Sequence, residues 1–158
     1  MSDKPSTAQV GVRMPDDPRR REWLWAEPVE VRTPGGAGLY RLLNNAICMP
    51  YLVGDLVRVR RSGRSLIVES LQQRGGRTGY AVHFTLGTTE KDALAICDSW
   101  AATGCAVEGV GGLWFTVAVD HAAGQRPTQD ELQALVTTGW LDQVQRTTPS
   151  DDAQSAAS

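Results

Sequence analysis

The spacing of apolar residues changes near position 75, and that change limits what this chain can fold into. Upstream, apolar residues recur at every second position in short runs. In Leu56-Val57-Arg58-Val59-Arg60, Val57 and Val59 share one face and the arginines take the other. Trp23-Leu24-Trp25-Ala26-Glu27, Leu39-Tyr40-Arg41-Leu42-Leu43 and Ser65-Leu66-Ile67-Val68-Glu69 are of similar length. Pro34-Gly35-Gly36, Asn44-Asn45, Gly54-Asp55 and Ser62-Gly63 separate the runs. About four strands joined by Gly-containing turns predict a small twisted sheet or SH3-like barrel over 22–74.

Downstream, strand and helix periods alternate. Tyr80, Val82, Phe84 and Leu86 share a face, and Thr88-Thr89-Glu90-Lys91-Asp92 has the form of a helix start. Ala93, Cys97, Trp100, Ala101 and Gly104 then fall on one helical face. The Gly111-Gly112 turn joins a run from Cys105 to a second one in which Leu113, Phe115, Val117 and Val119 alternate. Thr128 and Glu131 have capping-box spacing, Leu132, Leu135, Val136 and Trp140 lie on one side, and Gly139 stops the helix before a last strand at 141–146. The order β-α-β-β-α-β over 75–146 is that of a ferredoxin-like split βαβ unit. The expected fold class is therefore α+β, a small SH3-like β-barrel or sheet followed by a ferredoxin-like unit. The segments 1–21 and 147–158, polar and with little to bury, are expected to be disordered tails.

Composition supports a packed core, since 41% of the 158 residues are hydrophobic and 22% charged. No run approaches the roughly 20 apolar residues that cross a bilayer, and the first residues lack the apolar stretch of a secretion signal. A cytoplasmic, bacterial-type protein away from membranes is expected. The net charge of −2 conceals a polarity. Residues 1–86 hold 13 basic and 8 acidic side chains, a net of +5, and 87–158 hold 3 and 10, a net of −7. Such a layout favours partner binding.

Catalytic constellations are hard to find. Cys48, Cys97 and Cys105 are odd in number and form no CxxC pair, which suits small buried hydrophobes in a reducing compartment. Cys105 with His83 or His121 is the one nucleophile–base combination, and the strand order should separate Cys105 from His83. No metal site and no cofactor are expected from two histidines 38 positions apart. Asp130-Glu131 belongs to a helix start and Asp151-Asp152 to a tail. Gly35-Gly36, Gly75-Gly76 and Gly111-Gly112 match no phosphate-binding pattern.

The arginines stand out. Arg58, Arg60, Arg61, Arg64, Arg74 and Arg77 fall within twenty residues that contain one acid, Glu69. They form either a solvated face that protects a strand edge or a docking patch for an acidic protein or for nucleic acid. A pI near 5.7 and the lack of aromatics among those arginines weigh against nucleic acid. Trp100, Trp114 and Trp140 fit core positions, and Trp23 with Trp25 either seals two halves of the chain or forms a recognition patch. A cleft between the halves, holding Tyr80, His83 or Glu108, is the remaining place for a small molecule or a reaction.

Four segments, taken together, resemble the bacterial domain-of-unknown-function family 4265 over about 22–146. They are Trp23-Leu24-Trp25-Ala26-Glu27-Pro28; Tyr40-Arg41-Leu42-Leu43-Asn44 with Gly54-Asp55-Leu56-Val57; Gly75-Gly76 through Phe84; and Gly104-Cys105-Ala106-Val107-Glu108-Gly109. The resemblance implies a small β domain followed by a ferredoxin-like one and brings no activity, substrate or cofactor. The family's Gly-His/Tyr-Ser-Thr-x-Arg-like run is represented here by Gly76-Arg77-Thr78-Gly79-Tyr80-Ala81, which lacks part of its polar set. The expected function is that of a non-enzymatic binding protein of immunity, adaptor or regulatory type. It would dock an acidic macromolecular partner, a protein first, through the arginine-bearing hairpin. An RNA or single-strand binding module is the alternative, followed by a cleft-based enzyme or small-molecule binder. Oligomeric state has no signature in the sequence.

Overall fold

Alternation of inward apolar and outward polar residues sets the first five strands. The computed structural model describes residues 6–47 and 50–148. In it β1 (Ala8–Arg13), β2 (Arg21–Val31), β3 (Gly38–Leu42), β4 (Leu56–Ser62) and β5 (Ser65–Gln73) follow one another. Each is antiparallel to the next, and β1 closes onto β5 in parallel, with Val10 beside Leu66 and Gly11 beside Ile67, to give a closed barrel. Val10, Val12, Leu24, Ala26, Tyr40, Leu42, Val57, Val59, Leu66 and Val68 fill it. Full burial of each large aliphatic side chain contributes about 1.5–3 kcal/mol, so the barrel carries a core of its own.

The first strand corrects an expectation. It lies inside the segment 1–21 expected to be a disordered tail, yet Val10 and Val12 are buried. Two valines flanking one glycine are too short an alternation to announce a strand, and β1 is held by partners on β2 and on the sequence-distant β5. The barrel unit spans Met1–Arg77 rather than 22–74.

The second unit, Thr78–Ser158, has its own core. Its elements are β6 (Thr78–Phe84), α1 (Glu90–Ala101), β7 (Ala106–Gly111), β8 (Trp114–Val119), α2 (Gln129–Thr137) and β9 (Leu141–Arg146). All neighbours in its sheet are antiparallel, in the order β7-β8-β6-β9. The Thr89 hydroxyl accepts from the Asp92 N–H to start α1. At α2 the Thr128 hydroxyl accepts from the Glu131 N–H while the Glu131 carboxylate accepts from the Thr128 N–H. Tyr80, Val82, Phe84, Phe115 and Val117 meet Ala93, Cys97, Trp100 and Leu132 from the helices. The chain is thus mostly β, with two helices among the described residues.

Three apolar placements differ from expectation. Trp114 and Trp140 are exposed rather than core, and Leu86 lies beyond the end of β6 and is exposed. Leu86 and Trp140 stand beyond element ends, where no layer covers them, and Trp114 projects from the sheet face opposite that of its neighbour Phe115, away from the helices. The tail expected at 147–158 is anchored at its start. The Thr147 N–H donates to the Gly79 carbonyl, and the Gly79 N–H donates to the buried Thr148 hydroxyl. Asp151-Asp152 and Cys48 lie outside the described residues. No helix among the described residues is long and apolar enough to cross a membrane.

Candidate functional site

The six arginines of the sequence cluster have different fates. β4 turns Val57 and Val59 inward, so Arg58 and Arg60 project from the outer wall of the barrel. Arg58 is exposed and pairs in register with Leu39 of β3 and Ser70 of β5. Arg60 is partly exposed, with its Nε 3.7 Å from a Glu69 carboxylate oxygen. Arg64 is exposed at the β4–β5 turn. Arg61 bends back, donating to the Gly63 carbonyl at 3.3 Å and the Gly35 carbonyl at 2.6 Å, which ties the hairpin tip to the β2–β3 turn. Arg77 lies partly buried in the connection before β6.

Arg74 does not serve as part of a docking patch. It donates to the Asp55 carboxylate at 3.0 Å and to the Pro50 carbonyl. Asp55 is fully buried, and its carboxylate also accepts from Leu52 N–H at 3.0 Å and Gly75 N–H at 2.8 Å. A buried carboxylate needs such partners to offset its lost hydration. Gly75 allows the approach, because a Cβ there would lie 2.5 Å from the Gly54 carbonyl carbon. Gly54-Asp55 and Gly75-Gly76, two of the segments behind the family resemblance, therefore form a structural knot between the strand ends.

Two grooves flank Arg60. One, of about 370 Å³, has Leu39 and Val59 at its floor and Arg32, Arg58, Arg60, Glu30 and Glu69 around it. The other, of about 330 Å³, runs along Arg13, Arg60, Ile67 and Glu69. Among the described residues, no ion pair engages Arg13, Arg21, Arg32, Arg58 or Arg64. Arg13 and Arg32 carry no signal in the sequence, and Arg21 reads there as part of the short basic run Arg19-Arg20-Arg21, a solvated flank; all three lie far from the arginine run and join its wall only when the barrel closes. Trp23 and Trp25 are 44% and 50% exposed on the outward side of β2, so neither belongs to the barrel core.

The residues expected in a cleft do not converge. Tyr80 faces the helices, inside the core of its unit, and its hydroxyl lies 3.0 Å from His121 Nε2. Burial pushes the Tyr80 phenol pKa up, against the opposing pull of Arg146. His83 lies on the opposite sheet face, as its neighbour Val82 points into the core. There its Nδ1 is 2.6 Å from Asp142 Oδ1 and its ring 4.4 Å from that of Trp114. Glu108 shares this second face, standing opposite Thr116. Neither Asp142 nor Trp114 was singled out with His83, since they meet it only through register with β9 and β8. Cys105 belongs to the helix-side core, away from the His83 face, and Cys97 beside it has its thiol pushed up to about 12, chiefly by burial. A thiol so protonated is a poor nucleophile at neutral pH. No group of three or more potential metal ligands forms among the described residues.

What the barrel wall can do chemically is bind: guanidinium groups present fixed positive charge to phosphates or carboxylates, and the indoles present apolar faces. No family model matches the chain, and no curated protein matches it. A solved structure described as a novel crystal structure of a hypothetical protein from Neisseria gonorrhoeae is similar in fold, with a TM-score of 0.55 at 15% identity, over 93% of this chain and 96% of that one.

Proposed function

We propose that this protein is a non-enzymatic binding module whose barrel wall docks an acidic macromolecular partner. The carrying observation is the groove over Leu39, where Arg32 and Arg58 stand without ion pairs among the described residues beside Arg60. The unit that bears it, Met1–Arg77, has 13 basic and 8 acidic residues, a net of +5. A positive wall with an apolar floor suits a partner that brings carboxylates or phosphates around an apolar or planar group. The surface is narrower than the sequence cluster: Arg58, Arg60 and Arg64 remain, Arg32 joins them, and Arg61 and Arg74 hold the fold.

The same proposal takes the barrel as SH3-like and the second unit as ferredoxin-like. The five-strand closure and the β7-β8-β6-β9 order support these readings. Kinship with domain-of-unknown-function family 4265 belongs here too, supported by the four segments quoted above.

The test is affinity capture from a native lysate, with and without nuclease. Wild-type protein should retain a partner, and the triple variant Arg58→Glu, Arg60→Glu, Arg64→Glu should lose it with a melting temperature unchanged to within a few degrees. An identical capture profile for both proteins refutes the reading.

A further inference from the structure

Resting on the reading of the barrel wall as a docking surface, we propose that its β1–β2 ribbon binds single-stranded nucleic acid, with bases stacking on Trp23 and Trp25 and phosphates held by Arg13 and Arg21. Antiparallel register places Trp25 opposite Gln9, Trp23 opposite Gly11, and Arg21 opposite Arg13. Since Leu24 and Ala26 point into the barrel with Val10 and Val12, these odd-numbered positions line the outside.

Three features of the ribbon point to an anionic, planar-ringed occupant. First, the indoles are about half exposed and two residues apart, roughly 7 Å along the strand. An unstacked single strand can open its base step to such a spacing. Second, Gly11 lets the Trp23 ring lie over β1: a Cβ at Gly11 would come within 3.1 Å of both the Trp23 ring and Ile67 Cδ1. The ring is braced from below, which lowers the entropy lost when a base settles on it. Third, Arg13 and Arg21 face each other as like charges, an arrangement that destabilises a strand pair. No ion pair relieves either among the described residues, and Arg21 Nε has no hydrogen-bond partner. A phosphate between the two guanidiniums would relieve that repulsion. Basic groups beside exposed aromatics are the arrangement by which proteins hold single strands without reading sequence.

An acidic peptide would satisfy the arginines and leave the paired indoles unused, so the aromatics favour nucleic acid. The sequence-level objection, that no aromatic is interleaved with arginine, applied to the 58–77 cluster. On the β1–β2 ribbon the arginine pair and the two indoles adjoin on one outward face.

The experiment is titration of the full chain with labelled oligouridylate, oligothymidylate, a duplex of equal length and polyglutamate, at low and moderate salt, reading anisotropy and tryptophan emission. The single strands should bind and quench emission, and the duplex should bind more weakly. Trp25→Ala should weaken binding roughly tenfold, and Arg13→Gln should flatten the slope of log affinity on log salt by about 0.7. Arg13→Gln is an exposed change that keeps the proposal testable should a tryptophan variant misfold. Oligonucleotide binding that survives Trp25→Ala but fails in the Arg58/Arg60/Arg64 variant overturns the stacking platform while leaving the docking wall. Binding of polyglutamate alone does the same in favour of a protein partner. No binding of any probe at low salt overturns both readings. A dimer in sedimentation that Trp25→Ala dissociates assigns the indoles to a second copy and overturns the platform.

Discussion

Asp55, invisible from solvent, meets Arg74, Leu52 N–H and Gly75 N–H across a gap of up to 20 residues in sequence. Removing it leaves a partly buried guanidinium and two amides facing a void, so Asp55→Ala should lose about 3 kcal/mol in urea denaturation. Gly75→Ala should also destabilise, by forcing the Gly54 backbone aside. Cys97 gives a second expectation: at pH 8 it should resist iodoacetamide in the native state and react on unfolding, because burial keeps the thiol protonated. In the sequence Gly54-Asp55 is legible as a turn, since turn chemistry is local. The ligand set of Asp55 is not, because its partners come from another strand end. The same distinction explains why Arg74, grouped with its neighbours by sequence, works for the fold.

At the scale of elements, the helix starts were readable almost to the residue. Thr89 and Thr128 cap their helices through bonds that span three residues. Thr128→Ala should cost about 1 kcal/mol, seen as a lowered thermal midpoint. Glu131 adds pH dependence. Its hydrogen bond to Arg126, with the Thr128 N–H and the Arg126 charge acting in the same direction, outweighs desolvation and holds its carboxyl below the ordinary glutamate value. A depressed acid stabilises the fold above its unfolded pKa and loses that contribution as pH falls through the folded one. Wild type should therefore lose stability relative to Glu131→Gln as pH drops below about 4.3, and the two melting curves should converge in acid. Strands were less legible than helices. β1 has two buried valines and no local stop, and it exists because β2 and β5 offer it hydrogen bonds. Trp114 and Trp140 illustrate the reverse error, in which apolar character is read as burial although Trp114 faces away from the helices and α2 ends before Trp140.

At the scale of the whole chain, the barrel and the sheet-and-helix unit have separate hydrophobic clusters that share no residue among those described. Asp55→Ala should accordingly shift a barrel-specific probe, such as Trp25 emission followed in a chain whose other tryptophans are replaced by phenylalanine. A probe at Trp100 should move much less. An equal shift at both probes would show that the units unfold as one. The charge polarity read from the sequence follows the same division, with a net of +5 over Met1–Arg77 and −7 over Thr78–Ser158. An overall pI near 5.7 therefore describes neither unit.

The meeting of β1 with β5 has a practical side for anyone trimming this protein. Deleting the opening dozen residues as if they were a floppy leader would strip one stave from a closed cask. It would leave β2 and β5 with raw, unpaired rims, the kind of surface on which polypeptides clump. Shortened versions should precipitate where the intact chain stays clear, and a ribosome must have released residues as far as β5 before the ring can shut.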